Sequence, residues 1–253
     1  MVGKVHLVIP DSHSHADHDN RRYTMLGHLI HDLKPDTVID IGDWFDMASL
    51  CSYDRGKKSF EGRTYRADIN AGLDAQERMF EPIRKAKKKL PRFVRTLGNH
   101  ENRVNRAVEM DRVLEGTIGT SDFMSKEYGF EEYPFLEPVE IDGIQYAHYF
   151  VTGVSGRPIG GEHPAYSLLT KRFRSSTCGH VHTFDYCIRT AGDRKIHGAV
   201  VGVYQDYHAD YAGTANDIWN PGIVIKRGVE NGAYDIEHIS MKRIEEAYGQ
   251  YAE

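Results

Sequence analysis

The chain has 253 residues, 40% of them hydrophobic and 27% charged, with a net charge of −5 and three cysteines. That is the composition of an ordinary globular protein, and its acidic balance disfavours sequence-independent binding to a long polyanion, which depends on Lys and Arg neutralising phosphates. No membrane span is visible, the apolar run Val5–Ile9 is too short for a signal-peptide core, and Cys51, Cys178 and Cys187 form no Cys-x-x-Cys pair, which points to a reducing, cytoplasmic setting rather than a disulfide framework.

In chain order, Val5–Ile9 is a strand that runs into Pro10-Asp11-Ser12-His13. The loop Ser12–Asn20 is rich in His15, Asp17, His18 and Asp19, where the histidines are either second-layer groups or exposed loop residues. Leu26, Leu29, Ile30 and Leu33 have helical spacing and Pro35 ends that helix. Thr37–Ile41 is the next strand and runs into Gly42-Asp43-Trp44-Phe45-Asp46. Strand, helix, strand is the pattern of a largely parallel sheet.

From Trp44 to Tyr65 no period survives, and a loop of this length beside a motif is expected to overhang it. Arg63 and Arg66 on it are either phosphate contacts or solvated cations. Ile69, Leu73, Phe80 and Ile83 mark a second helix with a kink expected at Pro82. The cluster Arg84, Lys85, Lys87, Lys88, Lys89 at its end reads as a solvated face complementing the helix dipole. Strand Arg92–Leu97 then delivers Gly98-Asn99-His100-Glu101, and Glu101–Glu115 is helical through Val104, Ala107, Val108 and Leu114. Residues 116–134 are indistinct, with Phe123, Met124 and Tyr128 read as a short core helix.

The second half changes character. Val139–Ile141, Asp142-Gly143 and Ile144–Phe150 spell a hairpin with an Asp-Gly turn, placing Ile144, Tyr146, His148 and Phe150 on one face. Pro164–Phe173 reads as a helix burying Ala165, Leu168, Leu169 and Phe173. Strand Ser175–Cys178, with Cys178 buried, runs into Gly179-His180-Val181-His182. Segments 184–189, 196–204, 222–227 and 234–239 are antiparallel strands expected to complete a second sheet.

Each of the four strand ends is common alone; their order is not. Asp-x-His, Gly-Asp-x-x-Asp, Gly-Asn-His-Glu, an isolated His and Gly-His-x-His, spread from Asp11 to His182, resemble the motifs of the calcineurin-like metallophosphoesterases. Motifs that must converge on one site also argue for one domain over residues 1–253 rather than two. Periodicity alone supports only α/β or α+β; the resemblance implies a four-layer αββα sandwich of two mixed sheets flanked by helices.

The resemblance further implies a dinuclear metal-dependent phosphoesterase that cleaves phosphomonoesters or phosphodiesters by attack of a metal-bridging hydroxide. Asp11, His13 and His182 would bind one divalent ion, Asn99, His148 and His180 the other, and Asp43 both. Mixed imidazole and oxygen donors suit Mn²⁺ first, with Fe, Zn²⁺, Co²⁺ or Ni²⁺ as alternatives. His148 is followed by Tyr149 where the family favours Gly, which leaves His163 as a substitute. His100 would protonate or stabilise the leaving oxygen, oriented by Asp46. Asn99, His100 and Arg103 would touch substrate, with a simple salt bridge the alternative for Arg103 and Glu101.

Asp46 is followed by Met47-Ala48 instead of Arg-Gly, which disfavours the protein serine/threonine phosphatases. A small phosphate ester or nucleotide is the expected substrate, with selectivity in loops 44–65, 152–164 and 205–220. A nuclease of the same superfamily and a non-catalytic protein-binding scaffold are the other readings. Net charge weighs against the first, and the filled ligand positions against the second.

Overall fold

The computed structural model describes residues 3–85 and 89–252. Its first strands are β1 (Lys4–Ile9), β2 (Thr37–Asp40), β3 (Arg92–Thr96), β4 (Phe130–Tyr133), β5 (Val139–Ile141) and β6 (Ile144–Tyr146). A short pair, β7 (Val151–Thr152) and β8 (Arg157–Pro158), precedes β9 (Ser176–Cys178), β10 (Phe184–Ala191), β11 (Arg194–Val201), β12 (Gly222–Glu230) and β13 (Ala233–Ser240). The α-helices are α1 (Arg21–Leu33), α2 (Tyr65–Lys85), α3 (Asn102–Met110), α4 (Pro164–Arg172) and α5 (Met241–Tyr248).

Two mixed sheets result, one of six strands in the order β13-β12-β1-β2-β3-β4 and one of five in the order β10-β11-β9-β6-β5. Strand alternation sorts the side chains into layers. Leu7, Ile9, Val38 and Phe93 point to one face of the six-stranded sheet and pack with Leu26 and Ile30 of α1, Met79 and Phe80 of α2, and Ile244 of α5. Val8, Ile39, Val94 and Val224 point to the other and meet Ile141, Ile144, Ala199 and Val201 of the five-stranded sheet. Cys178 and Val200 face outward from that second sheet onto Ala165 and Leu168 of α4. The chain is therefore an α/β sandwich of two mixed sheets with helices outside. No helix among the described residues is long and apolar enough to cross a membrane.

Several expectations are corrected. β12 and β13 do not join the second sheet: β12 pairs antiparallel with β1, Leu7 opposite Ile225. Both faces of β12 are buried through Ile223, Val224 and Ile225, as they are for a strand placed between β1 and β13 in the larger sheet. The hairpin turn forms at Asp142 (φ 50°) and Gly143 (φ 82°), but β6 stops at Tyr146, so the face shared with His148 and Phe150 is lost. Phe150 instead packs in the outer layer with Ala147. Phe173 is 69% exposed, because it is the left-handed cap beyond α4 and the helical period no longer applies. Met124 is exposed for the same reason, capping a short 3-10 turn. β4 and α5 are elements the sequence reading lacks, and α3 ends at Met110 with a 3-10 turn following. Pro82 lies inside α2 in its last turn. Arg84 and Lys85 pair with Glu77 (3.0 Å) and Glu81 (2.7 Å); Lys87 and Lys88 lie outside the described residues.

Between the sheets, Lys226 of β12 is fully buried. Its Nζ donates to the hydroxyls of Thr177 and Tyr146 and sits 4.5 and 4.4 Å from the ring centres of Tyr146 and Tyr234. Burial pushes its pKa well below the ordinary 10.5. The unfolded chain then binds a proton that the native chain does not, so this lysine costs stability below its unfolded pKa, and the cost shrinks as pH rises toward that value. Lys226→Met is expected to be more stable than the wild type in urea at pH 7, with the advantage narrowing by pH 9. A gap independent of pH would show that the lysine is charged in the native core.

Candidate metal centre

β1, β2 and β3 run parallel, so the loops that follow them open at one edge, where the loop after β9 meets them. At that edge the backbone is forced into left-handed turns at His13 (φ 45°), Asp43 (φ 55°), His180 (φ 73°) and His182 (φ 60°). Such turns cost about 1–2 kcal/mol per non-glycine residue, and a cluster of them marks a place where geometry is held for chemistry. Two glycines are dictated by contact: a β-carbon on Gly98 would collide with the Asp43 carboxylate, and one on Gly179 with that of Asp11.

The predicted ligands converge as two groups. Asp11, His13 and His182 form one, and Asp43, His148 and His180 the other, while a third, overlapping group joins His13 and Asp43 to His100. His182 Nε2 lies 3.2 Å from Asp11 Oδ2 and 3.2 Å from His13 Nε2. His13 turns its Nδ1 to Asp46 Oδ1 at 2.9 Å, which leaves Nε2 facing the group. Asn99 belongs to the second group through its Oδ1, 2.9 Å from His148 Nε2. His148 Nδ1 faces the Ile41 carbonyl at 3.2 Å, so this residue reaches the site from a bend beyond β6. Asp43 is the hub: its Oδ2 lies 3.3 Å from His148, 3.9 Å from His13 and 3.8 Å from His100, while its Oδ1 accepts the His100 backbone N–H at 2.9 Å.

The electrostatics favour cations here. Burial opposes charge on Asp43, yet His148 and His100 outweigh it and hold the carboxyl well below its usual range. Burial likewise opposes a proton on His148, but Asp43 and Asp11 outweigh it and raise the imidazole to about 9. Burial and the neighbouring His148 instead push His180 down to about 4, keeping its lone pair available. Buried carboxylates that draw positive charge, beside the neutral imidazole of His180 and with His148 able to give up its proton to a cation, form a donor set that fits borderline divalent ions.

His100 points its Nδ1 at the Asp46 backbone carbonyl (2.7 Å), closer than the Asp46 carboxylate (3.2 Å). Asp46 thus serves both His13 and His100, a wider role than orienting His100 alone. Arg103 donates to the carbonyls of Asp46 (2.8 Å) and Met47 (3.2 Å) and places Nη2 3.1 Å from His100 Nε2. The salt-bridge alternative for Arg103 does not form among the described residues.

Glu101 forms no ion pair among the described residues and ties backbone instead. Its fully buried carboxylate accepts the backbone N–H groups of Asp43 (2.9 Å), Phe45 (2.8 Å) and Gly98 (2.8 Å). Burial and the nearby Asp43 and Asp40 push its pKa up to about 7. Beneath it, Arg95 and Asp40 make a buried ion pair at 2.6 Å, and Asp40 accepts the Gly42 N–H at 3.0 Å. Arg22, also fully buried, donates to the Ser12 carbonyl at 2.9 Å, and Tyr207 to that of His13 at 2.8 Å. The sequence reading missed these supports. An arginine flanked by Val94 and Thr96 in the middle of the strand Arg92–Leu97 was the available signal for Arg95.

Other candidates fall away from the centre. His163 is exposed at the N-cap of α4 and belongs to no metal-holding group among the described residues. His15 Nε2 lies 3.9 Å from Asp46 Oδ2, in the second layer, while His18 stacks on Tyr207 at 3.6 Å. Arg63 is engaged by Asp54 at 2.9 Å, and Arg66 is exposed in the first turn of α2.

Compared with known proteins, the sequence matches no family model and no curated protein. Among solved structures, one crystal structure aligns with 95% of this chain and 100% of its own at 9% identity and a TM-score of 0.45, a likeness too distant to carry an argument.

Glu101→Ala is expected to strand three backbone N–H groups, each at a cost of about 1–3 kcal/mol, and so to lower the melting temperature with no metal added. An unchanged melting temperature would remove the loop-tying role.

Proposed function

We propose that this chain is a dinuclear metal-dependent phosphoesterase of the calcineurin-like kind, acting on small phosphate esters or nucleotides. The observation that carries the reading is Asp43 Oδ2, placed between the imidazoles of His13 and His148 and so between two groups of candidate ligands. Asp11, His13 and His182 would hold one ion, Asn99, His148 and His180 the other, with Asp43 shared. Two divalent ions, Mn²⁺ foremost, would provide a water activated near neutral pH and neutralise the phosphoryl oxygens. The reading includes a cytoplasmic location, in keeping with three free cysteines.

The chain's own residues supply the rest. Asp46, by carboxylate and carbonyl, fixes both His13 and His100. His100 turns Nε2 toward the Asp43 side of the site, where, once protonated and released from Arg103 Nη2, it can pass a proton to the oxygen that leaves phosphorus. Arg103, beside it, offers a guanidinium to the phosphate.

Asp43→Asn tests the shared ligand. Metal counting by mass spectrometry after reconstitution with Mn²⁺ is expected to find at least one of two ions gone and activity on 4-nitrophenyl phosphate at background, with the circular dichroism spectrum retained. Two ions and wild-type turnover would falsify the bridging role. Chelation followed by a screen of mono- and diester phosphates tests the class, since full activity after verified metal removal eliminates the two-metal reading.

His100→Gln is expected to lower kcat by about 10²–10⁴-fold on an alkyl phosphate while both ions stay bound. The loss should shrink on aryl esters, whose departing oxygen needs little help. Asp46→Asn is expected to follow the same trend less steeply and to weaken metal binding too, because it also loosens His13. An equal loss at every leaving group would leave His100 a phosphate-binding cation rather than an acid.

A further inference from the structure

Beside His100 the surface opens into a shallow groove lined by Leu50, Tyr53, Arg55, Arg103, Arg106 and Met110. One wall is the loop that leaves Asp46 and the other is α3, where Arg103 and Arg106 stand one turn apart and share a side. Among the described residues none of these three guanidinium groups forms an ion pair, although the chain carries more acids, 37, than Lys and Arg, 32. The contrast within one loop is sharp: Asp54 neutralises Lys57 at 2.7 Å and Arg63 at 2.9 Å, while Arg55, its sequence neighbour, faces the groove.

Three cations gathered without counter-charge repel one another, and an anion in the groove would relieve that repulsion and accept charge-assisted hydrogen bonds. The groove is not purely ionic. Tyr53 is 81% and Met110 69% exposed, large side chains that line the same groove as the arginines. An aromatic ring beside Arg is the arrangement on which a nucleobase stacks while its phosphate is held. Three arginines match one further phosphate and its neighbour, and the net charge of −5 argues against a longer polyanion.

We propose that the groove binds the departing half of the substrate, and that this half is itself a nucleotide, carrying its own phosphate and base. The inference rests on the phosphoesterase reading and specifies its substrate class. With ions held by the candidate ligands, a water would add its oxygen to the phosphorus and give up its proton to solvent, the bond from phosphorus to the sugar oxygen would break, and that oxygen would take the proton offered at His100. The second phosphate remains in the groove, chemically unchanged.

The test compares the wild type with Arg55→Gln/Arg106→Gln on adenosine 3′,5′-bisphosphate, adenosine 3′-monophosphate and 4-nitrophenyl phosphate. The wild type is expected to prefer the bisphosphate to the monophosphate. The double variant is expected to lose about 10–100-fold in kcat/KM on the bisphosphate, mainly through KM, and far less on the other two. No preference in the wild type, or equal losses on all three, overturns the proposal. Calorimetric titration of adenosine 3′,5′-bisphosphate with no metal added separates the two readings. Failure of all three hydrolyses sinks the phosphoesterase reading, whereas binding that the double variant does not weaken sinks the groove. Tyr53→Ser is expected to weaken that binding about tenfold, and an unchanged affinity removes the base from the proposal. Cleavage of a short single-stranded DNA oligonucleotide in preference to the bisphosphate, with steep salt dependence, would assign the groove to polynucleotide instead.

Discussion

The arrangement depends on one carboxylate that never faces the site. Glu101 accepts N–H groups from two loops at once, those after β2 and β3, and so fixes the separation between Asp43 and the Gly98–His100 segment. Without that tie the left-handed turn at Asp43 loses the acceptor of its own N–H, and the close approach of Gly98 to its carboxylate becomes a loose contact. Three charge-assisted hydrogen bonds offset much of the desolvation of the buried carboxylate. Its repulsion by Asp40 and Asp43 is countered from below by Arg95, which joins Asp40 and also reaches Gln76 (2.6 Å) and Ser125 (3.0 Å). A column of buried charge thus runs from the helix layer to the centre.

The centre is divided between the two sheets. The larger contributes Asp11, His13, Asp43 and Asn99, whereas His148, His180 and His182 come from the loops after β6 and β9 of the smaller. The packing of Val8, Ile39 and Val94 against Ile144, Ala199 and Val201 keeps the halves together, joined by polar ties from Lys226 to Tyr146 and Thr177 and from His6 to Tyr146. A shear of one sheet across the other would separate His148 from Asp43. The inter-sheet layer sets the geometry of the centre as directly as the ligands themselves do.

Much of this was legible because the strand ends carry unusual residues in sequence order. Gly42-Asp43, Gly98-Asn99 and Gly179-His180 each announce a strand that stops at a tight, polar turn. The ligand convergence followed from those motifs, and the hairpin at Asp142-Gly143 from its turn chemistry. The missed parts lack such local marks. β4, Phe-Glu-Glu-Tyr, has acidic residues at its middle because it is an edge strand, so it resembles a loop. The placement of β12 beside β1 is a long-range pairing with no trace in spacing. Glu101 was visible as a residue but not as a tie, because its partners are backbone groups and backbone groups have no sequence signature.

That pairing has a consequence for how the protein is made. β1 lies between β2 and β12, with Lys4 opposite Val229, and the Asp11 carbonyl accepts the N–H of Tyr204 at 2.7 Å. As the chain leaves the ribosome, β1 can pair with β2 early, but its other edge waits for nearly the entire polypeptide. Through most of synthesis that edge is an open, apolar template for wrong partners. Asp11, at its tip, is likewise unmoored until His180 and Tyr204 have emerged. A half-made chain carries ligand residues without ligand geometry, and the last strands to emerge give the first strand its fixed place.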